Sequence, residues 1–362
     1  MSRNQKGYAL LLPAIIILLG LTITGLIVSK TMFFNQKEHN NLFNQNLAFM
    51  AAEAGLEYGI AYLKNNKALV LTDANNNGYI DGFTNSSITN VAFTNNTKFS
   101  VSYANPVLNN NKNLQIMSTG SADNGTSTRV IRMQLEIYPL LATNPPASIV
   151  SHKGTNLSGN VHVENTQTGV TLWSGGNVAL AGSANTKGTN NTTSNKQGLS
   201  SDVVRNDPGL GSLTGDNFFS GFFGRSKADI QQGSDIIYTN NSSANYSEVL
   251  NGISGKSVWI NQTGGTAKLN SNSTIGTAEK PVILIVNGDF QANASITVYG
   301  LVYVIGNWDN TGGGNLTVTG SVVVEGIMSG NGTPNVTYST NVLGNLTQIG
   351  EYVKVPGSWR DF

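Results

Sequence analysis

The sequence predicts an α+β chain: a long N-terminal helix with a small antiparallel sheet, followed by a C-terminal parallel β-helix. Three observations predict it. An apolar run from Tyr8 to Val28 passes without a break into residues of helical periodicity, three short stretches then alternate apolar with polar residues, and from Val282 onward the chain repeats itself every twenty residues.

Composition sets the bounds. The 362 residues carry 21 Lys+Arg against 20 Asp+Glu, and only 11% of the chain is charged. Average domains are about a quarter charged, so a basic surface for nucleic acid is not expected. With 41 Gly, 9 Pro and 39% hydrophobic residues, neither disorder nor collagen fits. Cysteine is absent, which removes disulfides, thiolate zinc sites and cysteine nucleophiles together. Such a chain is held by packing and backbone ladders alone.

The helix comes first. Arg3 and Lys6 precede the apolar run and no acid accompanies them. About 20 apolar residues span a bilayer, and basic residues before the span keep that end cytoplasmic. Gly20 and Gly25 interrupt the run, but no small-residue cleavage site follows it. Instead Leu42, Phe49, Ala52, Leu56, Ile60 and Leu63 recur at steps of three, four and seven. One helix from Tyr8 to Lys64 is therefore expected, roughly 85 Å long. Pro13 lies in its second turn, where it removes one donor.

A short basic leader ending in Gly7, before an aromatic Tyr8 that opens an apolar helix, resembles a class III prepilin leader. The alanine-rich segment Leu47 to Leu56 resembles that of PilX and K-type (GspK-like) minor pilins of type IV pili and type II secretion pseudopili. The resemblance implies a prepilin peptidase that cuts between Gly7 and Tyr8, and a helix stored in the inner membrane before assembly. It also implies a major pilin, other minor pilins and a tip adhesin as partners, and a place at the pilus tip. Most pilins carry Glu where this chain has Leu12, and K-type pilins, which sit at the tip, commonly lack it. A lone carboxylate in lipid is costly unless paired, so a subunit with no neighbour above it gains nothing from one.

Phe99–Tyr103, Leu114–Met117 and Ile131–Ile137 alternate with period two, the mark of half-buried antiparallel strands. The apolar face of the outer half of the helix is the surface for them to cover. In the loop before them, Asp73, Asn75, Asn77, Tyr79 and Asp81 match part of a calcium loop. Oxygen ligands at positions one, three and five, a turn glycine at six and an acid at nine suit a hard cation. Thr84 stands where the bidentate Glu belongs, so calcium, the single cofactor the sequence offers, would bind weakly. The plain alternative is an Asn-Gly turn.

The repeat carries the C-terminal half. Ile296–Tyr299, Leu316–Thr319 and Val336–Ser339 fall twenty apart, as do Val282–Leu284, Val302–Val304 and Val322–Val324. Ile, Leu and Val at 296, 316 and 336, with Thr at 297, 317 and 337, predict an apolar stack inside and a Thr ladder outside. A closed coil of about 20 residues stacks on the next at roughly 4.8 Å, and Asn and Gly suit its corners. Asn160–Val163 and Asn177–Leu180 are a less regular early pair that puts the start of the β-helix near Ile149. The domains expected are a leader 1–7, a span 8–28, an outer helix 29–64, a sheet 65–145, a β-helix 146–350 and a tail 351–362.

Within the β-helix an irregular insertion at about 188–250 contains Phe218, Phe219, Phe222 and Phe223. Four rings this close would not remain in water. They are expected to cap one end of the β-helix or plug it against the pilin head, or else to form a partner-binding patch. This segment and the ending Pro356–Phe362 also resemble PilX-like proteins.

Chemistry is sparse. Asp289 and Asp309 stand twenty apart and would stack on successive coils, as a carbohydrate-active β-helix enzyme would need. An Asp that caps backbone donors at a coil corner is the duller account. Gly252–Ser257 lacks the first glycine of a phosphate loop, with Leu250 in its place. His39, His152 and His162 are too scattered to suggest a metal site. The sequence favours a non-enzymatic minor pilin that primes a pilus or pseudopilus, with an anchored enzyme or an adhesin as alternatives.

Overall fold

A computed structural model describes residues 8–66, 88–104, 113–189, 193–195, 200–310, 314–332 and 334–361. The chain forms two units, Met1–Leu135 with Lys354–Phe362, and Glu136–Val353.

The first unit is one helix and a small antiparallel sheet. Helix α1 spans Tyr8–Asn65 and takes Pro13 inside it. Strands β1 (Val91–Ala92), β2 (Lys98–Ala104), β3 (Asn113–Ala122) and β4 (Ser127–Pro139) lie in that order. The three alternating stretches of the sequence fall inside β2, β3 and β4. Their alternation is kept in three dimensions: Ile131, Met133 and Leu135 are buried while Arg132, Gln134 and Glu136 are exposed. Arg360–Asp361, near the end of the chain, pairs antiparallel with β4.

The second unit is the parallel β-helix, and its coils have three faces. Along the first face Ile236, Val258, Leu284, Val302, Val322, Ile149, Leu172 and Val203 lie side by side on successive strands. Along the second run Ala267, Phe290, Trp308, Met328, Thr155 and Val178. The third carries Ile275, Val298, Val318, Val336, Val163 and Thr186. The apolar side chains at these inward positions form one core. Each fully buried Val, Leu or Ile contributes about 1.5–3 kcal/mol, so stability accumulates rung by rung.

The coils do not stack in sequence order. The first in the sequence, beginning at Ile149, lies inside the stack, because Val322 of the last coil pairs with Ile149 and Val336 with Val163. From Ile149 the chain winds outward to Val203–Val204 at one end. It then crosses to the other end and returns coil by coil from Ile236. Eight rungs on the first face set the crossing at about 34 Å. Residues 188–250 thus contain rungs at both ends, and the irregular part is the crossing, with helices α2 (Pro208–Gly211), α3 (Gly215–Phe223) and α4 (Lys227–Gly233). Helix α5 (Ser247–Leu250) follows in the end coil, and α6 (Thr340–Asn345) follows the last one.

The first face is buried on both sides, which is why it reads as continuous apolar runs such as Val282–Val286. Outward-facing Trp259, Ile285, Tyr303, Val323 and Val150 meet the helices in a second core. Phe218, Phe219, Phe222 and Phe223 of α3 are all buried there. Phe219 stacks on Phe223 at 4.4 Å, and both rings meet Tyr303 edge-on at 5.1 and 5.3 Å. The four phenylalanines therefore cover the flank of the β-helix and neither end of it. Local signals shape this layer: Thr214 caps α3, Gly224 closes it in the left-handed region, and Ser226 and Asp229 form a capping box on α4.

The period of twenty holds from Ile296–Val304 to Leu316–Val324, residue for residue. On either side it slips by two. Leu284, not Val282, lies beside Val302, and Val336 lies beside Val318, not Leu316. Thr317 accordingly meets Asn335. The early pair also divides between faces: His162–Glu164 pairs with Asn185–Lys187, and Val178–Leu180 with Thr155–Leu157. A slip of two keeps every side chain on its own side of the strand, so the hydrophobic pattern does not register it.

At one corner the stack admits no side chain. Gly300 and Gly320 are adjacent, with φ of 136° and 139°. A Cβ on Gly320 would lie 2.0 Å from the Gly300 carbonyl oxygen. Gly320→Val is expected to lower the midpoint of thermal unfolding by about 5 °C or more. Gly221→Ala, in α3 with nothing within 4 Å of the added carbon, should hold or raise it. Equal midpoints for the two variants would refute the corner argument.

Candidate functional site

The surface that the chain leaves unexplained is on α1. Every described side chain from Leu11 to Phe43 is exposed, including Leu12 at 67% and Leu26 at 70%. The helix carries no charged residue before Lys30. The 22 residues from Tyr8 to Ser29 make a rod about 33 Å long, close to the thickness of a hydrocarbon core. By length and composition this helix could cross a membrane, with a mean hydropathy of 2.6 in its most apolar window.

Its threonine hydroxyls are satisfied from within. The hydroxyls of Thr22 and Thr31 donate to the carbonyls of Leu19 and Ile27 at 2.8 and 2.9 Å, and Thr24 donates to Gly20. These three hydroxyls can therefore leave water with their donors satisfied. Nothing lies within 4 Å of a Cβ placed on Gly20 or Gly25, so both mark places where another helix could approach closely. The apolar rod ends at a belt: Lys37 lies over the Phe33 ring at 4.7 Å and Lys30 over Phe34 at 5.9 Å. Lysines at the end of an apolar span can keep their stems on the apolar rod while their ammonium groups reach water.

Further along, α1 changes environment. Ala48, Ala51, Ala52, Leu56 and Leu63 are buried against β2 and β3, whereas Leu42 remains exposed. The covered face thus begins about a turn and a half later than the periodicity from Leu42 suggests. The alanines have a steric cause, because a Cβ on Gly120 of β3 would fall 2.0 Å from the Ala48 carbonyl oxygen and 2.4 Å from the Ala52 nitrogen. Helix and sheet touch backbone to backbone. Beyond them the Tyr103 hydroxyl donates to the Gly59 carbonyl at 2.7 Å, and burial pushes that phenol well above its usual range. The self-bonded threonines and the lysine–phenylalanine belt are visible in the sequence once the helix is known; Gly120 could be found only in the packed unit.

Gly7 and the candidate calcium loop Asp73–Asp81 lie outside the described residues. Asp289 and Asp309 do not stack. Phe290 pairs with Trp308, which puts Asp289 beside Asn307 and Asp309 beside Gln291. Asp289 Oδ1 instead accepts the Asn307 backbone N–H at 2.8 Å, and Asn307 Oδ1 accepts that of Ile327 at 3.0 Å. The corner is a ladder of caps, and the paired-carboxylate geometry is lost.

Other charged groups serve structure. At Glu164 burial acts to raise the pKa, but hydrogen bonds from Lys187 at 3.1 Å and His162 at 3.4 Å outweigh it and hold the carboxyl below its usual range. Asp207 accepts from Trp173 Nε1 at 2.8 Å and caps α2 through the Leu210 N–H at 3.1 Å, and both bonds lower its pKa. Among the described residues no three His, Asp or Glu side chains converge as metal ligands.

No protein-family model matches the chain, and no curated protein matches it. Among solved structures it is similar to the competence-associated pilin ComZ from Thermus thermophilus, at 12% identity over 88% of this chain and 97% of that one. The TM-score is 0.27, a likeness too slight to define a shared fold.

The helix–sheet contact is directly testable. Gly120→Val is expected to speed amide exchange at Ala48–Leu63 and in β3 by tenfold or more, about 1.4 kcal/mol of local stability. Unchanged exchange would show that the close approach carries no energy.

Proposed function

We propose that this protein is a non-enzymatic minor pilin of the PilX or K type, which primes a type IV pilus or related pseudopilus and ends at or near its tip. The observation that carries the proposal is the continuity of α1. A rod of 22 uncharged residues, left uncovered by the described residues from Leu11 on, runs directly into a helix that anchors a sheet. Lipid is one solvent for such a rod, and a bundle of like helices is another. Exchange between them costs little, because one apolar surface replaces another.

In this proposal the basic leader holds the N-terminus in the cytoplasm, and a prepilin peptidase cuts after Gly7. The helix then leaves the inner membrane sideways to join the major pilin and other minor pilins. Leu12 and its neighbours meet apolar partners, and no buried carboxylate needs a partner above it. A head of eight rungs tiles poorly around a tightly packed shaft, which favours the end of the fibre. There it could also carry an adhesive role or seat a tip adhesin. The calcium loop, if it binds, does so weakly through Asp73 and Asp81.

Gly7→Glu should leave the leader uncut and abolish filaments. Leu18→Lys, mid-rod, should cost about 2.5–3.5 kcal/mol on insertion and lower the membrane-held pool. Gold-labelled antibody against the head should mark the ends of sheared filaments. A mature chain that keeps Met1–Gly7 and never leaves the membrane fraction would overturn the proposal. For the loop, calorimetric titration of the purified chain with calcium should give heat that Asp73→Ala abolishes; no heat in the unaltered chain removes the site.

A further inference from the structure

The second unit buries a carboxylate against an ammonium where its crossing segment meets the β-helix wall. Glu325 follows the strand Leu316–Val324, and its side chain is 8% exposed. Glu325 Oε1 accepts a hydrogen bond from the Tyr303 hydroxyl at 3.0 Å, and Oε2 lies 3.1 Å from Lys227 Nζ at the start of α4. The same Nζ is 3.2 Å from Asp216 Oδ1 in the first turn of α3, and 5.8 Å from the centroid of the buried Phe219 ring. Burial pushes the Glu325 carboxyl up, against the lowering by Lys227 and Tyr303.

These four groups are arranged by role. A lysine held between two carboxylates is an amine with a base at hand. A carboxyl whose oxygen is held by a phenol has a donor placed where charge develops on addition. The fold holds both reactants in contact, which replaces a bimolecular encounter with an internal one. Product formation also removes the charge of the buried Glu325 carboxylate, whose desolvation opposes folding.

We propose that Lys227 and Glu325 are joined by an intramolecular amide bond, formed after the unit folds. Asp216 takes one proton from Nζ and passes it to Oε2. The free amine adds to Cδ while Oε1, held by Tyr303, carries the developing charge. A second Nζ proton leaves with Oε2 as water, and the third remains on the amide nitrogen. One C–O bond breaks, one C–N bond forms, one water is released, and nothing is oxidised or reduced. The bond ties residues 98 apart in a chain without cysteine. It fastens the crossing, a long stretch outside the rung ladder, to the wall. It stands independently of the pilin proposal.

The test is a protease digest of the full chain, purified in detergent, read by mass spectrometry. The segments that carry Lys227 and Glu325 are expected as one branched species, lighter than their sum by one water, with trypsin unable to cut after Lys227. Lys227→Arg should release them separately. Asp216→Asn, at a side chain 87% exposed, should keep the fold and slow linkage about a hundredfold after synthesis. Recovery of separate segments at full mass from the folded, unaltered chain would overturn the bond. Undiminished linkage in Asp216→Asn would overturn the assigned base.

Discussion

The second unit depends on one constraint: each inward apolar side chain must lie on another of its kind in the coil above and below. A single coil of about 20 residues buries too little to stand alone, so the rungs are stable only together. That requirement is met across the sequence as well as along it. Val322 rests on Ile149, and Val336 on Val163, so the last coil of the repeat completes the core begun by the first arm. Two arms that are far apart in the chain share one hydrophobic interior.

The crossing between the ends of the stack follows from the same constraint. Once the first arm occupies one end and the second must begin at the other, the chain has to traverse the whole flank. It does so as a helical layer whose apolar side covers the outer surface of the first face. The four phenylalanines of α3, the ring of Tyr303 and the buried Glu325 belong to that arrangement. A sheet face buried on both sides needs such a layer, and a helix with apolar residues on one stripe supplies it.

The first unit shows one helix in two environments. Past Ala48 its face is small because β3 approaches backbone to backbone at Gly120. From Leu11 to Phe43 no described residue covers it, and Thr22, Thr24 and Thr31 donate to helix carbonyls three or four residues earlier. The helix persists through both because its hydrogen bonds are internal and indifferent to what surrounds it. The candidate functional surface is therefore a property of composition along a continuous rod, and it is legible from residues 8 to 29 without any fold.

The sequence by itself determined which side faces the core in the alternating stretches and in the twenty-residue repeat, where the helix runs, and that a stacked parallel coil follows it. Those are local properties: alternation and periodicity are written in neighbouring residues. Only the tertiary structure decided which coil lies on which, that the register slips by two around Val282 and Val336, and that Asp289 meets Asn307 and not Asp309. A slip of an even number leaves the inside and outside of a strand unchanged, and the neighbour of a coil is set by the path of the whole chain. Neither leaves a mark in the pattern of adjacent residues.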